Sequence, residues 1–100
     1  MLTQQQRQII QTARDLIAEP TRWCQSDFAL NEEGQRCHPN DPKARKFCAC
    51  GAIQRVAHDL DIYPHLWFRP SELGVINVRG HTAVLDFFDK VLASDKALAP

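Results

Sequence analysis

The stretch DPKARKFCACGAIQRVAHDL, Asp41 to Leu60, decides the reading of this chain. An aspartate can accept from the free N–H groups of a first helical turn, and proline is preorganised for the first helical position. Asp41-Pro42 therefore reads as a helix start. On a wheel of about 100° per residue, Ala49, Ala52, Ile53, Val56 and Leu60 share one broad face, with Cys48 at its margin. Ala44, Phe47 and Gly51 extend that apolar surface on the other side of Cys48. The spacing predicts a central helix over residues 41–61, touched by more than one neighbour. Gly51 has no Cβ, so another backbone can come close there, at a helical cost of roughly 1 kcal/mol.

The same reading governs Cys48-Ala49-Cys50. On a helix these two cysteines point roughly 200° apart, so they cannot clip one metal ion unless the helix starts later or breaks. They also fall about two turns into the expected helix, too far for its dipole to acidify a thiol. Cys48, rather than the pair, is the residue to probe.

Around this centre the chain reads as mainly α. Ile9, Ile10, Ala13, Leu16 and Ile17 recur at helical spacing behind a Thr3–Gln6 capping box, and Pro20 ends that first helix. Residues 21–40 hold no helical period. Asn31-Glu32-Glu33-Gly34 is a turn signal between two short apolar runs, so the segment is a small hairpin or an irregular loop pinned by Trp23 and Phe28. Pro64 bounds a Leu66-Trp67-Phe68 cluster, expected as a core plug, and Pro70 to Leu73 opens a short helical turn. From His81 or Thr82 onward, Val84, Leu85, Phe88, Val91 and Leu92 mark a last amphipathic helix, with residues 95–100 expected to fray. The expected architecture is one domain over residues 1–100: a small bundle of three main helices with an irregular or hairpin insertion.

Composition excludes several functions. Lys plus Arg and Asp plus Glu both number 12, so no global charge favours nucleic acid, and nucleic-acid binding is not expected. No apolar run approaches the ~20 residues of a membrane helix. MLTQQQRQII lacks the apolar core of a secretion signal, which reads as a reducing cytoplasm in which disulfides do not persist.

The chemistry-bearing residues each have a plainer role beside the functional one. Cys24, Cys37, His38 and Cys48 make a conceivable zinc set, but no C-x2-C knuckle or H-x3-H clip supports it, so no metal and no cofactor is expected. Cys24 or Cys48 could serve as a nucleophile with His81 and Asn77, although no local signature marks that set, and inert buried thiols explain the cysteines as well. Arg36 to Arg55 carries five basic residues against one aspartate. Lys43, Arg45, Lys46 and Arg55 could therefore face phosphate or an acidic partner, or simply solvent.

The order Trp23-Cys24, Gly34, Asp41-Pro42, Phe47-Cys48-Ala49-x-Gly51-Ala52 and a late Asn77 resembles a family of small bacterial and phage proteins with a domain of unknown function. The likeness spans most of the chain. Trp23, Cys24, Cys48, Gly51 and Asn77 match the family pattern. Cys37 and Cys50 do not, and Ile76-Asn77-Val78 stands where the pattern is closer to Trp-Asn-Asp. The resemblance implies no catalytic roles; occurrence in phages implies an interaction or host-modulating role. Function is not legible from the residues alone. The leading expectation is a non-enzymatic binding or regulatory module for another protein, contacting it through Trp23, Lys43, Arg45 and Lys46. The alternatives are a small cysteine-dependent enzyme using Cys24 or Cys48, and a zinc-stabilised module.

Overall fold

Ile9, Ile10 and Ala13 form the buried stripe of helix α1 (Gln4–Leu16), and Ile17 continues it just past the last turn. The computed structural model describes residues 4–25, 27–61 and 76–98. Strands β1 (Ala29–Asn31) and β2 (Ala44–Phe47) pair in an antiparallel sheet, and helices α2 (Ala49–Asp59) and α3 (His81–Leu98) complete the main elements. The protein is mainly α with a small sheet. Thr3, His65, the Leu66-Trp67-Phe68 cluster and the turn after Pro70 lie outside the described residues.

The central helix expected over residues 41–61 is shorter at its start. Residues 44–47 form a strand, and α2 begins only at Ala49. The reason lies in Asp41-Pro42, whose chemistry suits a turn as well as a helix start. The Asp41 carboxylate accepts the Lys43 N–H at 2.9 Å, and the Asp41 carbonyl accepts the Ala44 N–H at 2.9 Å. The chain thus turns and leaves extended. Ala29 then faces Phe47, Leu30 faces Lys46 and Asn31 faces Ala44, with an irregularity between Leu30 and Asn31. That irregularity places Arg45 and Lys46 in succession on the exposed side, between buried Ala44 and Phe47.

The expected turn between the two short runs is present. Asn31 Oδ1 accepts from the N–H groups of Glu33 (2.9 Å) and Gln35 (3.0 Å), and Leu30 bridges Arg36. The Phe28 ring does not pin this segment; it is 56% exposed. Trp23 lies beside Phe47 in a parallel bridge, so the chain after α1 runs along the sheet's second edge.

One apolar cluster joins the layers: Ile9, Ile10, Ala13 and Ile17 from the first helical stretch, Ala52, Ile53 and Val56 from α2, and Val84, Phe88 and Leu92 from α3. Helix α1 packs against both α2 and α3. Arg14 also reaches Asp89 on α3 at 2.9 Å. Residues 76–79 are helical, and Gly80, at φ +106°, reverses the chain into α3 in a conformation open mainly to glycine. α3 continues to Leu98, through the first residues of the expected frayed tail. Among the described residues, no helix is long and apolar enough to cross a membrane.

Candidate functional site

Because the chain reaches residue 48 as a strand, Cys48 is the N-cap of α2, with extended angles of φ −83° and ψ −178°. Every helix start leaves N–H groups without intrahelical partners, and here three chain segments converge to satisfy them. The Cys48 sulfur accepts the Gly51 N–H at 3.4 Å. Asn77 Oδ1 accepts the Ala49 N–H at 3.0 Å, and the Phe28 carbonyl accepts the Cys48 N–H at 3.3 Å. Asn77 itself is only 7% exposed. Gln25 Nε2 then donates to the carbonyls of Asn77 (3.0 Å) and Val78 (2.9 Å), fixing the segment that carries the asparagine.

Close approach at Gly51 is real, but its partner is a loop carbonyl and not a helix. A Cβ on Gly51 would sit 1.8 Å from the Phe28 oxygen. The expected separation of Cys48 from Cys50 is absent for a related reason. Cys48 precedes the helix, so no wheel separates it from Cys50, and the dipole that seemed two turns distant begins at its own backbone.

The two thiols act as a pair. The Cys50 thiol donates toward the Cys48 sulfur, and this is the largest influence drawing the Cys48 thiol down to about 6; burial opposes it, and the N–H groups of Gly51 and Cys50 assist. Cys50 is correspondingly pushed up, since its proton is the one the pair retains, and burial adds to the effect. The first proton leaves the pair easily and the second is held. Cys24 lies close enough to feel the charge on Cys48. Burial, that charge and Asp27 push its thiol up to about 11, and its Sγ donates to the Asp27 carbonyl at 3.2 Å. Cys24 is itself buried.

The remaining expected residues divide. His81 stacks on Trp23 with ring centroids 5.5 Å apart, and its Nε2 meets the Ile17 carbonyl. Asn77 is committed to the α2 start, so these residues do not form a Cys–His–Asn set. Of the zinc candidates, Cys24 and Cys48 are neighbours, whereas Cys37 responds to Asp41 and Arg55, and His38 Nδ1 accepts the Asn40 N–H at 3.1 Å. Among the described residues, no three His, Cys, Asp or Glu side chains come together as metal ligands. All four cysteines are free thiols. Trp23 is half-buried against His81 and flanks β2 at Phe47, while Lys43, Arg45 and Lys46 are exposed on and before that strand.

Sequence reasoning missed Cys50 as the partner of Cys48, because cysteine is an uncommon cap and none was sought at position 48. A signal existed. Cys48 stands three residues before Gly51, the spacing at which an N-cap side chain meets an N3 backbone N–H.

The fold and site define a small, mainly α protein whose middle helix is capped by a thiol. The chain belongs to a family of unknown function, DUF6197, which it matches over residues 1–97. No curated protein and no solved structure matches it. Trp23, Cys24, Cys48, Gly51 and Asn77, drawn from three distant parts of the chain, gather around the start of α2.

Proposed function

We propose that this protein is a small regulatory module that works through the Cys48 thiolate, reacting with a small oxidant or electrophile. One observation carries the reading: the Cys48 sulfur caps α2 and accepts the Gly51 N–H, with a second thiol two residues on that helps hold its pKa down. A thiolate is the reactive form of cysteine, and donors aimed at it hold that form at neutral pH. Cys48 is only 4% exposed, which suits a small reagent better than a macromolecular substrate, and half-buried Cys50 leaves the pair unsealed.

With a hydroperoxide the steps balance. The Cys48 thiolate attacks one peroxide oxygen, the O–O bond breaks, and with one proton the products are a sulfenic acid and an alcohol or water. The Cys50 thiol then attacks the sulfenic sulfur, releasing water and closing a Cys48–Cys50 disulfide. The cap on Gly51 would change with the charge on sulfur, giving the module a structural readout. A reducing cytoplasm would return the pair to dithiol. A protein partner could read the change through Lys43, Arg45 and Lys46, which lie on and before the strand that leads into Cys48.

The test is the rate of thiol alkylation against pH, with products located by mass spectrometry, in the native protein and in Cys24→Ser, Cys48→Ser and Cys50→Ser variants. Fast labelling at Cys48 near neutral pH, lost in Cys48→Ser and slowed in Cys50→Ser, is expected. Uniformly slow alkylation of all four thiols in the folded protein would sink the proposal.

A further inference from the structure

A cleft of about 470 Å³ opens on the other side of β2, between that strand, the Pro20–Arg22 turn and α2. Three guanidinium groups line it, those of Arg22, Arg45 and Arg55, against the single carboxylate of Asp59. On a chain of zero formal charge this is a local excess of positive charge.

The three arginines are held differently. Arg55 is fixed: its Nη1 donates to the carbonyls of Pro39 (3.1 Å) and Asp41 (2.9 Å), and its Nε meets Asp59 at 3.1 Å. Its guanidinium lies 5.9 Å from the centre of the Phe47 ring. Arg45 Nη1 donates to the carbonyls of Pro42 (2.9 Å) and Ala44 (3.0 Å), and its Nε lies 3.5 Å from Glu32. The Nη2 groups of both remain outside these bonds. The Arg22 guanidinium has no partner among the described residues. Phe47, Ala44 and Leu16 supply an apolar floor beneath the charges.

We propose that this cleft binds a phosphate monoester carried on a flat or apolar body. Two anchored guanidinium groups provide directed donors with little entropy left to lose, and the unpaired Arg22 closes on the anion from the third element. Planar forks of N–H donors match phosphate oxygens, and the anion meets the positive charge left after Asp59 pairs with Arg55 and Glu32 with Arg45. The apolar floor holds the group that the phosphate esterifies. Cys48 takes no part, so this site stands or falls separately from the thiol reading.

Phenyl phosphate is the probe, titrated at low ionic strength while the arginine Nε–H signals and the amides of Arg22, Arg45 and Phe47 are followed by NMR. Saturable shifts confined to the cleft are expected, weakened about tenfold in Arg22→Ala, as one lost charge-assisted contact implies. Among the described residues the Arg22 side chain makes no hydrogen bond or ion pair, so that variant should unfold at the same urea concentration as the native protein. The Cys48→Ser variant should bind as tightly as the native chain. No cleft shifts, or unchanged affinity in Arg22→Ala, overturns the site. Equal binding of benzoate overturns the phosphate class, and equal binding of inorganic phosphate overturns the role of the apolar floor.

Discussion

Asn77 and Ala49 are 28 positions apart in the chain and share a buried hydrogen bond of 3.0 Å, from the Ala49 N–H to Asn77 Oδ1. Through this bond the segment before α3 completes the first turn of α2. The helix start is therefore a tertiary structure and not a local one, and its energetics can be probed from a distance.

Replacing Asn77 with alanine leaves the Ala49 N–H buried without an acceptor. The expected cost is about 1–3 kcal/mol, the range for stranding one buried group. Urea unfolding measures it. Asn77→Asp restores the acceptor but adds a negative charge beside the thiol pair. It should keep most of the stability at neutral pH while raising the pH at which Cys48 becomes reactive. Identical alkylation profiles for Asn77→Asp and the native protein would contradict the proximity.

Gly51→Ala should be among the most damaging single-methyl additions in the protein. The new Cβ would meet the Phe28 carbonyl oxygen at 1.8 Å, a backbone atom that cannot swing aside. Relief requires moving the segment that leads into β1, with loss of the Cys48 N–H bond to the same carbonyl. A loss of about 2–3 kcal/mol is expected, typical of overpacking, measured by chemical denaturation.

Stability should vary with pH in two opposite windows. The folded Cys48 pKa, about 6, lies below its ordinary value of 9.0, so the unfolded chain binds more protons between the two. That contribution is complete above the unfolded value and is lost as pH falls toward 6. Cys24 is shifted the other way, to about 11 from 9.0, so its contribution is complete below the unfolded value and is lost as pH rises through 11. Equilibrium unfolding from pH 5.5 to 10 should show stability rising and then falling. Cys48→Ser should remove the rise and keep part of the fall.

The Arg14–Asp89 pair links α1 to α3 at 2.9 Å with both side chains partly exposed. Water screens such pairs, so a double-mutant cycle should return a coupling of only about 0.2–1 kcal/mol, shrinking with added salt. A larger value would mean that the pair organises the helix crossing and does not merely decorate it.

The helical parts were legible because their apolar residues repeat at helical spacing. Ile9, Ile10, Ala13 and Ile17, and likewise Val84, Phe88 and Leu92, can be buried together only on one face of a helix. Residues 44–47 were not legible for a matching reason. Ala44 and Phe47 are three apart, a helical interval, and the strand buries both only because the sheet register slips between Leu30 and Asn31. Asp41-Pro42 then supplied a plausible helix cap that the structure uses as a turn. With the helix start misplaced by several residues, Cys48 and Cys50 seemed to face apart, and the thiol pair was discounted. The arginine cleft was equally hidden, since Arg22, Arg45 and Arg55 meet only once the turn, strand and helix are assembled.

The small sheet has a further consequence. Exposed strand edges recruit other chains into growing sheets, a hazard for short proteins with little else to shield them. Here β1 is flanked by β2 on one side and by the Arg36 bridge on the other, while the far side of β2 is taken by Trp23 and Cys24. The register slip sets Arg45 and Lys46 side by side on the outer surface of β2, where two positive charges repel an identical strand. The irregularity that disguised the strand in the sequence thus also gathers positive charge on the outer surface of β2.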